Sequence, residues 1–559
     1  MKGYEKFIFG ILSSPFKKFL VIFITLIAFV GSLMMFPTKL VLAKMLPGKS
    51  ANTYSIYVDL PNGSSYVETN RVTECVVKIL QKEKEVTDIE VFSGMGAPLD
   101  YAGLVKGSTF KRGEHVAEIV VNLTNKNNRD ETSFMMVHRL RPVIQSKCEP
   151  IKEGTNIKMV EEPAGPPVLA AVVAEIYGRD GEGLNRLGKR VEEILKKTEG
   201  LVDVDTLEDD LYDKFELVVD KEKIKRSGLS IKQVNQILYL AFEGMIVTVK
   251  NSDSSPEQIP LYLVLKEDTK ILSSFSKDAL EKKLSSLKLL NQKGMKIPVN
   301  ELVKVVKIKS WPTLMSKNLQ RVVTVVAETD LVSQVYPLLD ARAKIKEELA
   351  KDYEISNGSL FNLKLKDKKS GETYELVWDG EMKVTMDTFR DLGAAFIAAL
   401  VIIFLLMVVY YKSFALSGIV LLGSFLSIIG VIVGHWIMDI FSEQTYFLTA
   451  TSLIGFISLM GISSRNSLLL IDFAISLIKE KGIDKRRAIA ISTATRVKPI
   501  FLTAVTIVLA SLMLTTDPIF GGLGVALIFG TIVAVIVSWV FIPVLMDSTK
   551  AIKEPDQYR

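Results

Sequence analysis

The sequence predicts a bundle of six membrane-spanning α-helices joined to a large α+β region that faces water. Three observations predict it. Hydrophobic residues make up 48% of the 559 positions, and mean hydropathy is +0.27 although 24% of residues are charged. The charge is also segregated, with uncharged windows about twenty residues long set against an ordinary soluble composition across Lys39–Asp391. Finally, Val76–Asp88 aligns with Val191–Asp203 at a constant offset of 115 residues, which marks a repeated unit in the water-facing part.

The same numbers exclude other classes. A chain of this length exceeds one compact core, so several domains are expected. The net charge of +6, from 69 basic and 63 acidic residues, gives no nucleic-acid signature. Two cysteines, Cys75 and Cys148, allow one disulfide at most, and three histidines do not suffice for a histidine-based metal centre.

A bilayer core takes about 20 apolar residues per helix. Suitable windows are Phe19–Thr38, Leu392–Tyr411, Ala415–Met438, Gln444–Ser464, Pro499–Thr516 and Ile519–Met546. The first is no cleaved signal: eighteen residues precede it and no clean processing site follows. Short-loop charge sets the orientation. Lys479, Lys481, Lys485, Arg486, Arg487, Arg496 and Lys498 lie between the fourth and fifth windows, whereas the loops around Asp439–Glu443 and Asp517 hold no Lys or Arg. Both termini are therefore expected in the cytoplasm, with Lys39–Asp391 outside.

In the outside region, Thr53–Pro61 alternates as a strand, Ser64–Lys82 has helical period, and Asp88–Phe92 alternates again. Further strands are expected at His115–Leu123, Asn156–Glu162, Val172–Tyr177 and Phe215–Val219, with helices at Ser133–Ser146 and Ser230–Phe242. Each copy of the repeat ends a helix, turns and starts a strand, as in half of a ferredoxin-like (split βαβ) module. The Pro/Gly cluster Pro163–Pro167 separates the two copies.

Ionisable residues inside a span are costly and point to function. Beyond Ser464 the chain continues with Arg465 and Asn466, then stays apolar through Ile478 apart from Asp472. This pattern predicts one helix from about Tyr446 to Ile478 with Arg465 well inside. Ser463, Ser464, Asn466 and Ser467 are expected to satisfy its donors. A guanidinium does not deprotonate, so Arg465 is a fixed cation that needs an anionic partner. Asp472 shares its face but lies roughly 10 Å along the axis, too far to pair. In the fifth window Pro499 suits a first turn, and Arg496 and Thr503 share a face; a lone threonine there most often bonds back to its own helix.

These stretches resemble the C-terminal half of a resistance-nodulation-division (RND) efflux permease, over nearly the whole chain. The resemblance rests on Pro47–Ser50, Asp59–Ser65, Gly228–Val234, Phe389–Gly393 and, most specifically, Gly461–Ala474 and Arg496–Thr503. It implies a proton relay containing Arg465, Asn466, Arg496 and Thr503, in which the cation answers an acid pair on the N-terminal half. The family usually has lysine where this chain has Arg465, a change that keeps the charge and alters its geometry. The domains it implies are 1–43 (cytoplasmic segment and first span), 44–162 (first porter subdomain), 163–224 with 318–383 (second porter subdomain), 225–317 (inserted docking subdomain), 384–548 (five spans) and 549–559 (cytoplasmic tail). Six spans and no acid pair make half of a twelve-span pump, and the start at Met1 with a cytoplasmic tail favours a natural half that joins a separate N-terminal half.

The expected function is thus proton-driven export of small molecules from a Gram-negative inner membrane or its periplasm. The resemblance implies a homotrimer of the combined unit, working with a periplasmic adaptor and an outer-membrane channel. The competing readings are a SecD/SecF-like protein-export subunit, whose fourth-span aspartate is replaced by Arg465 here, and a scaffold that keeps the fold without transport. No nucleophile–base pair, metal cluster or phosphate loop suggests an enzyme or a cofactor. For substrate contact the sequence offers Met95 and Tyr101, in the region of the family's gating loop. A soft-cation path through Met95, Met136, Met159 and Cys148 is the lesser alternative to hydrophobic compounds.

Overall fold

The structure is a computed structural model that describes residues 2–162, 165, 168–209, 211–266, 276–310, 313–359, 361–442 and 445–555. The Pro163–Pro167 separator, Gly165 aside, therefore lies outside the described residues, as does Glu443 of the short loop.

Among the described residues, six helices are long and apolar enough to cross a membrane: Pro15–Met34, Glu381–Tyr411, Phe414–Phe441, Ala450–Lys481, Lys485–Leu512 and Gly521–Ser548. The apolar windows of the third, fourth and sixth are 61%, 56% and 61% buried, against 6%, 0% and 17% for the first, second and fifth. The former three thus form the packed centre. Glycines allow the close approach: a Cβ on Gly434 would come within 2.6 Å of Phe529, and one on Gly455 within 2.9 Å of the Ala526 Cβ. The third span is interrupted between Phe425 and Ile428, and the sixth opens into a wide π turn over Val537–Phe541, just before Pro543. Pro543 has no N–H for the Trp539 carbonyl. The Tyr4 hydroxyl donates to it instead at 3.0 Å, from a short amphipathic helix, Lys2–Leu12, whose Ile8 and Leu12 enter the bundle core.

Two sheet modules follow the repeat. In the first, all pairings are antiparallel in the order Val86–Met95, Arg112–Leu123, Thr53–Asp59, Asn156–Val160. Helix Tyr66–Leu80 follows its first strand and Ser133–Cys148 its third, and both cover the face that carries Ile56, Val58, Ile119 and Val121. A disulfide between Cys75 and Cys148 ties these helices together.

The second module repeats that order as Leu201–Thr206, Gln320–Thr329, Val172–Tyr177 and Thr373–Asp379, then adds Leu363–Asp367 and Tyr353–Asn357 beyond the last strand. Helices Gly181–Lys196 and Val335–Leu349 bury Leu187, Val191, Leu338 and Ile345 against it. The aligned residues Asp88 and Asp203 both fall on the strand after the module's first helix.

A separate compact unit runs from Asp209 to Thr313 and overlaps the expected docking region. Within it Asp213–Val219 pairs with Val303–Lys309 around a core of Ile224, Val234, Leu284 and Leu302. It also carries a hairpin of Met245–Lys250 with Ile259–Leu263, which is exposed along nearly its whole length.

Candidate functional site

The fourth span is one uninterrupted 32-residue helix. Thr449 caps its start by accepting from the Ser452 N–H, and Gly482 closes it in a left-handed conformation. Arg465 therefore sits near its midpoint. The buried side of this helix includes Ser463, Ser464, Asn466 and Ser467. The Ser464 hydroxyl meets that of Ser424 on the third span at 2.9 Å, while the Ser463 and Ser467 hydroxyls are buried with no partner.

Arg465 lies on the opposite side. It is exposed, and among the described residues it has no hydrogen bond, ion pair or ring contact. The expectation that the neighbouring serines and Asn466 satisfy its donors is thereby corrected: they point into the bundle and Arg465 points out of it. The uncovered stripe runs Ile454, Ser458, Gly461 and Arg465, at the three- and four-residue spacing of one helix face. Asp472, half-buried two turns on, accepts a hydrogen bond from the Tyr410 hydroxyl at 3.0 Å, so it is not a counter-ion for Arg465.

Arg496 packs its guanidinium over the Phe473 ring at 5.2 Å, with Nε buried and unpartnered. The Thr503 hydroxyl donates to the Pro499 carbonyl of its own helix at 3.0 Å. The structure thus brings Arg496 against the fourth span but forms no bond that links it with Arg465 or Thr503 among the described residues.

Met95, at the end of its strand, and Tyr101, at the start of helix Tyr101–Lys106, are 58% and 46% exposed. The loop between them is anchored by Glu118, which accepts from the Ala97 N–H at 2.9 Å and from the Ser108 hydroxyl at 2.5 Å. Nothing in the sequence singled out Glu118. The soft-cation path does not assemble: Met136 and Met159 are core residues and Cys148 is in the disulfide. No group of three or more His, Cys, Asp and Glu able to hold a metal occurs among the described residues.

The cations between the two sheet modules are arranged differently. Arg141 of the first module is nearly buried and bonds Asp203 (3.2 Å) and Asp330 (2.9 Å) of the second. Asp203 also accepts from Gln145 and from the Met159 N–H, both at 3.1 Å. Lys106 pairs with Glu328 at 2.5 Å, and Lys158 bridges Asp205 and Asp59. Burial alone would raise the Asp59 carboxyl, but Lys111 (2.5 Å) and Lys158 (2.7 Å) outweigh it and hold it well below the usual carboxylate range. Several ion pairs therefore cross the contact between the modules, the polar character usual where parts of one chain meet.

Comparison with known proteins agrees with this architecture. The sequence model of the AcrB/AcrD/AcrF family matches residues 1–547. The swarming motility protein SwrC of Bacillus subtilis (strain 168) is 22% identical over 540 residues, covering 95% of this chain and 46% of that protein. The crystal structure of a heavy metal efflux pump superposes with a TM-score of 0.71 at 16% identity, covering 98% of this chain and 52% of the other, a likeness of fold. The chain spans about half the length of these relatives. With the family's sequence model matched from end to end of the sheet modules and the helical bundle, this chain belongs to the AcrB/AcrD/AcrF family of RND efflux permeases.

Proposed function

We propose that this chain is the C-terminal half of a proton-driven RND efflux permease, and that a separate N-terminal half supplies the missing anion. The observation that carries this reading is Arg465: a permanent cation at mid-span, on an uncovered helix face, with no partner among the described residues. Leaving such a group in hydrocarbon costs at least about 3 kcal/mol. An intramembrane acid pair on the partner half would cover the stripe from Ile454 to Arg465, and protonation of those acids would release the cation and let the helices move. Asn466, Arg496 and Thr503 complete the relay.

In this reading the first sheet module and the second are the porter subdomains, each a ferredoxin-like split βαβ unit, and the compact unit Asp209–Thr313 is the docking subdomain. The sheet region lies outside an inner membrane with both termini in the cytoplasm. The disulfide supports this side, because such bonds persist in oxidising compartments. The working unit is a trimer of the combined halves with an adaptor and an outer-membrane channel. Substrates are hydrophobic or amphipathic small molecules that pass Met95 and Tyr101; the dispersal of the sulfur residues disfavours a soft cation.

The test is efflux of an apolar dye from cells that express this chain with its partner half under an imposed proton gradient. Arg465→Lys retains export and Arg465→Ala abolishes it at equal membrane abundance. Export by Arg465→Ala at the unsubstituted rate overturns the assignment.

A further inference from the structure

The three spans of the packed centre each lose regular geometry or turn polar at one depth. The third is interrupted at Leu426 and Ser427, between Phe414–Phe425 and Ile428–Phe441. The sixth widens into its π turn over Val537–Phe541, and the fourth carries Ser463, Ser464 and Ser467. Phe441, Ala450 and Gly521 lie at the same end of the bundle, where the Thr451 hydroxyl donates to the Ile519 carbonyl at 3.0 Å. Counted from those ends at 1.5 Å per residue, all three features fall roughly 20–30 Å along the helices. The π turn packs against both of the other spans there.

A hydroxyl inside a helix usually bonds back to a carbonyl one turn earlier. Ser417 does so at 2.9 Å, Ser424 at 3.0 Å and Ser464 at 2.7 Å. Ser463, Ser467 and Ser538 do not. All three are fully buried, and among the described residues their hydroxyls have no partner. The Ser467 side chain is turned off its own helix, with Oγ 3.4 Å from where a Cβ on Gly423 of the third span would stand. Buried polar groups that no protein atom serves call for a bound ligand, the more so in a bilayer, where bulk water offers none.

Charge decides which ligand. Phe414–Met438 and Gly521–Met546 contain no Asp or Glu, and Asp472 of the fourth span is bonded to Tyr410 of the second. The nearest fixed charge in sequence is the Arg465 cation. A metal ion at this junction would therefore have no counter-ion. Water fits, because it both gives and accepts hydrogen bonds and needs only two to four polar partners.

We propose that the junction of the third, fourth and sixth spans is a binding site for internal water, held by the Ser463, Ser467 and Ser538 hydroxyls and bordered by the Ser424–Ser464 pair. The site places exchangeable protons at mid-span in the interior of this half, on the side of the fourth helix away from Arg465. It rests on the hydroxyls and not on the pump cycle proposed above.

Water-to-protein magnetisation transfer, measured by solid-state NMR on the full chain in lipid bilayers, reads the site directly. Asn-Ser pairs occur only at Asn251–Ser252 and Asn466–Ser467, so labelling asparagine carbonyl carbon and serine nitrogen gives two inter-residue signals without any substitution. Ser252, half-buried in the loop of the exposed hairpin, is the wet reference. The Asn466–Ser467 signal should build up no more than about fivefold more slowly than the Asn251–Ser252 signal, and a slower build-up overturns the proposal. Thermal unfolding gives a second reading, because removing a hydroxyl that binds water is destabilising whereas removing a dry, unpaired one is a gain. At least one of Ser463→Ala and Ser467→Ala should lower the midpoint by about 2–4 °C. A midpoint unchanged or raised in both overturns the proposal.

Discussion

Arg465 and Arg141 are both guanidinium groups on long helices, and their surroundings are opposite: Arg141 is buried and Arg465 is exposed. Arg141 has two carboxylates from the facing module, one of which is also held by Gln145 and a backbone N–H. Arg465 has none, and the polar residues next to it in sequence turn away. The difference teaches where each charge finds its complement. The sheet modules pair their buried cations within this chain, whereas the helical bundle leaves Arg465 exposed with no partner among the described residues.

Substitutions can break or sharpen that contrast. The largest effect is expected at Arg465, where alanine should reduce export to the level of cells lacking the protein yet leave thermal stability within about 0.5 kcal/mol, since no internal bond is lost. Arg141→Ala should do the reverse at the level of folding. Removing the cation leaves the buried Asp203 with only its Gln145 and backbone N–H donors and Asp330 with only His138, and should cost about 3 kcal/mol, read as a lowered midpoint of unfolding of the sheet region. Equal destabilisation by both substitutions would erase the contrast.

Acid offers a third, smaller probe. Asp59 is held below its ordinary value by Lys111 and Lys158, so its contribution is fully present above about pH 4 and is lost as pH falls further. Denaturant unfolding should show a loss on the order of 2 kcal/mol below that point, and Asp59→Asn should remove it. The smallest effect belongs to Thr503→Val. Its hydroxyl bonds only its own helix, so stability should change by no more than about 0.5 kcal/mol. Any drop in export would then support its place in the proposed relay, and it should be smaller than that caused by Arg496→Ala.

The spans were readable because each apolar window overlaps a long helix, but the fifth helix starts at Lys485, fourteen residues before its window, so Pro499 lies inside it and not in its first turn as expected. The second span starts at Glu381, eleven residues before its window, because its first turns bury Met382 and Thr385 against the second sheet module. The fourth runs past its window to Lys481 because Arg465 and Asp472 interrupt the charge-free run without interrupting the helix. The helix Lys2–Leu12 was hidden, since eleven residues with a narrow apolar face gain meaning only from the fifth and sixth spans they pack against.

In the site, Arg465 was legible as a lone cation in an apolar run, but which way it faces was not. Neighbours in sequence are on different faces of a helix, and burial decides between them. The ion pairs between the modules carried no signal at all: their partners are separated by up to hundreds of positions, as Lys106 and Glu328 are by 222. No periodicity reports contacts of that range.

The most direct test of the Arg465 account is a photo-crosslinking side chain at Gly461, one turn from Arg465 on the uncovered stripe, activated in native membranes and followed by mass spectrometry of the product. Cross-linking to a transmembrane helix that bears a pair of carboxylates is the result expected. Capture of lipid alone, or of a second copy of this same helix, would contradict it.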